Sequence, residues 1–214
     1  MSVSKTSPKD YVEEDADVRL MLLVQKGDAN AFEELVSRYQ NRLIGVLEHL
    51  VGKRDLAEDL AQEVFLRVYR ARSGYQPQAK FSTWLFTIAN NLASNARRSL
   101  ARRREVHIDR RGSEGLSGDP LEQMALAASG LMPNRQLDNV EACLMVQQAI
   151  QGLNDRQRMA VLLAKFEDMS YADIAEVMQI SPKAVKSLLS RARCTLRETL
   201  ASYVRSGKQP RVNL

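Results

Sequence analysis

Cysteine is scarce in this chain: two residues in 214, Cys143 and Cys194. That is too few for a disulfide framework. Histidine is equally rare, with only His49 and His107, and the four residues form no cluster with ligand spacing, so no metal site is expected. Cys143 lies in an apolar helical stretch, and both thiols are expected to be small buried groups in a reducing cytoplasm. Long apolar runs are missing as well. Leu20 to Val24 is far too short to cross a bilayer, and residues 1–14 are polar and charged, without the apolar core of a leader peptide. A cytoplasmic protein with no membrane insertion is expected. No segment alternates with period two, which argues against sheet. There is no phosphate-binding glycine loop, metal cluster or nucleophile constellation, so neither an enzyme nor a cofactor is expected.

What is present is apolar residues at helical spacing and a surplus of positive charge. Hydrophobic residues make up 44% of the chain, enough for buried cores, and the formal net charge is +5. A basic balance suits a polyanionic partner without specifying one. Asp15 starts a helix carrying Val18, Met21, Leu22 and Val24 that stops at Gly27. Asp28 starts a longer one in which Phe32, Leu35, Val36, Tyr39, Leu43, Val46, Leu47 and Leu50 follow a 3.6-residue period up to Gly52. A third helix runs from about Asp55 to Ala71 and a fourth from about Ser82 to Arg104. Glycine and proline then interrupt the chain up to about Asn139, with room for one short helix over Leu121 to Ala128. Helices over Val140 to Leu153 and Asp155 to Phe166 precede a final pair. The expectation is an all-α protein of two small helical domains joined by a flexible linker: a disordered tail over 1–14, a first domain over 15–104, a linker over 105–139, a second domain over 140–204 and a tail over 205–214.

The final pair reads as a helix-turn-helix. Ser170 caps its first helix, with Asp173 three residues on. Ser181 followed by Pro182 opens the second helix after only a few residues. Gln179 occupies a turn position that calls for positive φ, where glycine is easier to accommodate. On the second helix Val185, Leu189, Ala192, Leu196 and Leu200 recur by three and four and should face the protein. Lys183, Lys186, Ser190, Arg193 and Arg197 make a cationic, hydrogen-bonding stripe on another side. Such a stripe is either an ordinary solvated face or a reader of the DNA major groove.

The first domain carries two further surfaces. Its third helix has Leu56, Leu60, Val64 and Val68 as a ridge and exposes Asp55, Glu58, Asp59, Gln62 and Glu63. The helix dipole accounts for that acidity near the start, and protein docking is the alternative. On the fourth helix Trp84, Leu85, Ile88, Ala89 and Leu92 form an apolar face. Asn91, Asn95, Arg98 and Arg102 run beside it, and Arg97, Arg103 and Arg104 add positive field. Asparagine pairs with base edges and arginine with phosphate or guanine. Lys80, Phe81 and Trp84 lie near a loop, where aromatic rings either stack an unpaired base or simply pack in the core.

The run Asp55-Leu56-Ala57-Glu58-Asp59-Leu60-Ala61-Gln62-Glu63-Val64-Phe65-Leu66-Arg67-Val68-Tyr69-Arg70-Ala71 resembles region 2.2 of bacterial sigma factors. The run from Phe81 to Asn91 (Phe-Ser-Thr-Trp-Leu-Phe-Thr-Ile-Ala-Asn-Asn) resembles the region 2.3–2.4 block of their small extracytoplasmic-function (ECF) group. The run Val185 to Arg193 is similar to the region 4.2 recognition helix of that group. The three blocks stand in family order and the resemblance covers about residues 15–204. It implies a factor that binds core RNA polymerase and directs it to promoters. Asp55, Glu58, Asp59, Gln62 and Glu63 would dock on the clamp coiled coil of β′. Lys80, Phe81, Trp84, Asn91, Asn95, Arg98 and Arg102 would read and melt the −10 element. Lys183, Lys186, Ser187, Ser190, Arg191 and Arg193 would read the −35 duplex, with the same domain touching the β flap. An anti-sigma factor is a further candidate partner. Leu188 departs from the family, which often has a basic residue there. The rival readings are a free-standing helix-turn-helix repressor or activator, which has no use for the asparagine–arginine stripe, and a helical enzyme or adaptor, which does not account for two basic helices.

Overall fold

The computed structural model describes residues 8–110 and 134–205, all helices and turns with no strand among them. The first module comprises α1 (Pro8–Glu14), α2 (Ala16–Gln25), α3 (Ala29–Val51), α4 (Arg54–Ala71), a 3-10 turn (Arg72–Gly74) and α5 (Phe81–Arg110). The second comprises α6 (Asn134–Gln151), α7 (Asp155–Lys165), α8 (Tyr171–Met178) and α9 (Pro182–Arg205). The short helix expected over Leu121 to Ala128 lies outside the described residues.

Local chemistry sets the helix ends. The Asp28 carboxylate accepts from the Asn30 and Ala31 amides, and α3 stops where Gly52 takes φ 75°. Asn154 with Gln157, and Ser170 with Asp173, form reciprocal capping boxes at α7 and α8. Each satisfies two donors that a helix start would otherwise strand. Asp15 closes two starts at once. Its Oδ1 accepts from the Asp17 amide of α2 at 2.9 Å, and its Oδ2 accepts from the Phe81 amide of α5 at 3.0 Å.

Three expectations need correction. Residues 1–14 are not a disordered tail throughout, because Pro8–Glu14 is helical. Tyr11 and Val12 pack on the core, and the Arg19 guanidinium donates to the carbonyls of Val12 and Glu13, which holds this segment down. The expected linker is also shortened at both ends: α5 continues to Arg110 and α6 begins at Asn134, directly after Pro133. The thiols of Cys143 and Cys194 are exposed rather than buried, since neither falls on the inward stripe of its helix.

Leu35, Leu43 and Leu47 of α3 and Phe81, Leu85 and Phe86 of α5 are fully buried. The buried apolar residues of the two modules form one continuous cluster. α5 packs along α8, and α3 touches α7 and α6, so the modules rest directly on one another.

Asp15→Ala removes two caps and should cost about 2 kcal/mol, whereas Asp28→Ala removes the cap of one helix and should cost about 1 kcal/mol. Thermal unfolding should show the first variant melting several degrees below the second; equal midpoints would refute the double cap. Gln179 sits at φ 54°, ψ 46° with an exposed side chain. Gln179→Gly should raise the melting temperature by about 1–3 °C, because glycine adopts this conformation without strain.

Candidate nucleic-acid interface

The second helix of the helix-turn-helix divides as its spacing requires. Val185, Leu189 and Ala192 are buried, while Leu196 and Leu200 are half-buried. Lys183, Lys186, Ser187, Ser190, Arg191 and Arg193 are all exposed along α9. Ser181 supplies the cap, its hydroxyl accepting from the Ala184 amide at 3.2 Å. Arg191 donates to the Ser187 hydroxyl at 3.3 Å, which steadies both side chains within the stripe. Leu188 is buried. Its side chain contributes to the core, so no base contact is available at that position.

One residue of this surface escaped the sequence reading. Tyr171, the first residue of α8, is exposed, and its hydroxyl accepts from the Arg193 guanidinium at 3.4 Å. It extends the α9 stripe onto the neighbouring helix. The signal available was a large aromatic next to the capping serine, outside the apolar stripe of a short helix.

The first module presents a second polar row. Asn91, Asn95, Arg98 and Arg102 are all exposed along α5. The Asn95 side-chain oxygen accepts from the Arg98 guanidinium at 2.6 Å, so these two groups hold each other in place at the surface. Leu85, Ala89 and Leu92 are buried behind them, with Phe86 and Ala93 also in the core. Trp84 and Ile88 are only half-buried.

Phe81 requires a correction. It is fully buried, its ring set edge-on to Tyr39 at 5.3 Å between centroids. In this arrangement it is a core residue and cannot stack a base. Its backbone explains why: the amide is held by Asp15, which points the ring inward. Trp84 remains at the rim, 4.8 Å from the Tyr75 ring. Burial raises the Tyr75 phenol far above its ordinary range. Lys80 does not stand free with the other α5 residues; it reaches Asp173 of α8 at 3.4 Å.

The docking candidates of α4 fall into two rows. Glu58 and Gln62 line a groove of about 770 Å³ between α3 and α4, with Arg54, Phe32, Leu66 and Tyr69. Asp55, Asp59 and Glu63 follow one another by four on the adjacent row, outside that lining. Arg54 pairs with Glu58 at 3.0 Å and with Glu48 at 3.2 Å. Arg67 donates to Glu63 at 2.8 Å and holds its carboxyl below the usual carboxylate range. Leu66 is 49% exposed and Tyr69 42% exposed. Together with the groove they form an apolar strip rimmed by charge. The sequence carried the signal: Leu66 lies four residues from Gln62, on the polar side of the helix.

Among the described residues no group of three or more His, Cys, Asp or Glu is placed to hold a metal ion. No helix among them is long and apolar enough to cross a membrane.

Comparison with known proteins gives these surfaces a context. The Sigma-70 region 2 family matches residues 35–103, and the Sigma-70 region 4 family matches residues 143–196. The chain is 34% identical to the RNA polymerase sigma-H factor of Pseudomonas aeruginosa over 90% of its own length and 97% of the relative's. It is 31% identical to the ECF RNA polymerase sigma factor SigW of Bacillus subtilis, over 83% of this chain and 92% of that one. Among solved structures it resembles the sigma factor RpoE of Bartonella quintana, crystallised in complex with the anti-sigma factor NepR. That match has a TM-score of 0.57 and 26% identity, covering 79% of this chain and 96% of the other. The two matched regions coincide with the two modules that carry exposed cationic helices, and the chain belongs to the ECF group of sigma-70-type RNA polymerase sigma factors.

Proposed function

We propose that this sigma factor reads a promoter at two places, with α9 on the −35 duplex and α5 on the melted −10 element, while the α3–α4 groove and the acidic side of α4 dock on core RNA polymerase. The observation that carries this reading is the pair of exposed, polar, cationic helix faces, one in each matched region. Lys183, Lys186, Ser187, Ser190, Arg191 and Arg193 present donors along one helix that fits a major groove. Asn91, Asn95, Arg98 and Arg102 present amide and guanidinium groups suited to base edges and phosphates. Trp84 offers a partly exposed ring beside them. Docking uses Glu58 and Gln62 with Leu66 and Tyr69, and Asp55, Asp59 and Glu63 extend it. The β′ clamp coiled coil and the β flap are the proposed contact points on the polymerase, and the cytoplasm is the compartment in which they meet. An anti-sigma factor would compete for the same faces.

The role is non-catalytic. Sequence choice comes from a few side chains in each module, each good bidentate pair discriminating by about 1–3 kcal/mol. Melting consumes unstacking energy, a few kcal/mol for a flipped base. Attachment to polymerase supplies that by raising the effective concentration of both readers at once. In vitro transcription with purified core enzyme and a library of promoter fragments tests the whole reading. A specific gel shift by the chain alone, as a dimer on duplex DNA, would favour a free-standing repressor instead.

Lys186→Ala should weaken −35 binding and lower the salt dependence of promoter binding by about one counterion, leaving core binding unchanged. Loss of core binding with intact promoter crosslinking would contradict the assignment. Asn95→Ala should slow opening at the −10 element, read as reduced permanganate reactivity of promoter thymines. Unaltered reactivity would remove Asn95 from the reading face.

A further inference from the structure

The connection between α4 and α5, residues 72–80, leads into the rim where Trp84 sits, and α2 grips it at both ends. One grip is the Asp15 carboxylate, which holds the Phe81 amide. The other comes from the opposite end of the same helix. Gln25, the last residue of α2, turns its side-chain amide onto the 3-10 turn. Its Nε2 donates to the Ser73 carbonyl at 3.1 Å and to the Tyr75 carbonyl at 3.2 Å. A side-chain amide has two N–H donors, and here each has a carbonyl to itself. That pair of acceptors also fixes which way the amide points, because its oxygen in the same place would face two other oxygens.

The backbone bonds inside the connection are local. The Tyr75 amide donates to the Arg72 carbonyl at 3.2 Å, and the Gln78 amide donates to the Gln76 carbonyl at 2.8 Å. Pro77, between them, has no N–H to give. The Tyr75 ring is buried, yet its hydroxyl has no hydrogen-bond partner among the described residues. The ring is therefore placed by packing and by its backbone, and Gln25 is what ties that backbone to α2. Tyr75 in turn lies 4.8 Å from the Trp84 ring, and Phe81 lies 6.1 Å from it on a T-shaped contact. Trp84 thus leans on two aromatic walls. Asp15 sets one of them and Gln25 sets the other.

We infer that Gln25 is a positioning residue for promoter opening: it holds the Ser73–Tyr75 turn on α2, so that the Tyr75 ring keeps Trp84 in the orientation that receives an unpaired base. The inference rests on the −10 role proposed above for α5 and Trp84. Gln25 itself touches no base in this role and acts through the turn. Its contribution is pre-organisation. A ring that is already held loses less freedom when a base stacks on it, so more of the interaction is left to favour the melted strand.

Trp84 is the only tryptophan in the chain, so its fluorescence reports the turn directly. Gln25→Met removes both donors and keeps an unbranched side chain of similar length and helix preference. In the full chain, helix content by circular dichroism and the half-saturating concentration with core polymerase should match the wild type. Trp84 emission should move to longer wavelength, and acrylamide should quench it more strongly. With core polymerase saturating, opening at the −10 element, followed by permanganate, should slow by about tenfold, the combined effect of two ordinary hydrogen bonds. Gln25→Lys returns donors within reach of the same carbonyls and should restore the wild-type emission. That readout is taken on the free protein, where the added charge has no DNA to attract. Wild-type emission and quenching in Gln25→Met would overturn the tether, and so would a lysine that leaves the emission shifted. Shifted emission with an unaltered opening rate would overturn the positioning role. If the emission behaves as expected and the wild type itself opens no promoter, the −10 reading fails and the tether stands.

Discussion

The Asp15 carboxylate fixes the direction of α5, and the rest of the first module follows from that direction. One oxygen closes α2 and the other holds the Phe81 amide at the start of α5. Phe81 is thereby turned into the core against Tyr39, and the helix periodicity does the rest. Leu85, Ala89 and Leu92 point inward. Asn91, Asn95, Arg98 and Arg102 are left in water. Burial of Phe81, Leu85, Phe86 and Ala89 then holds the helix in that rotation and keeps the buried and exposed rows apart. The same helix packs along α8, so its orientation governs the second module as well.

The charged surfaces behave differently according to their burial. On α4 the charges are exposed and partly neutralised by partners one turn away, as in Arg67 with Glu63. Such pairs steady side chains and contribute little to folding. At the junction of the modules a carboxylate, that of Glu167, is taken out of water against one guanidinium. Desolvation there opposes the attraction and raises the carboxyl above its ordinary range despite the guanidinium. Exposed and buried ion pairs thus draw on the same chemistry at different depths.

Much of the fold was legible from residue order. Asp15, Asp28, Ser170 and Ser181 announced helix starts, and Gly27 and Gly52 announced stops, because capping depends on neighbours within a few positions. The exposed stripe of α9 was readable for a related reason: α9 is amphipathic, so spacing assigns its faces. Phe81 and Lys80 were harder. An aromatic ring near a loop can go inward or outward, and here a carboxylate 66 residues away settles it. The exposure of Leu66 was readable from its spacing to Gln62, whereas the groove beside it was not, because it needs α3 as its second wall. Tyr11 and Val12 looked like part of a polar tail, and become ordered only because a core is present for them to pack against.

The chain on its own specifies the helices, their order, the two cationic stripes and the family to which they belong, because caps, periodicity and motif spacing are local properties. Long-range packing assigns what local spacing leaves open: which aromatic residues are core, where Lys80 finds its carboxylate, and how the two modules sit together. Those outcomes depend on contacts such as Arg42 with Glu167, 125 positions apart along the chain. Burial and electrostatic pairing act on distance in space, and residue order does not encode that distance until the chain has folded.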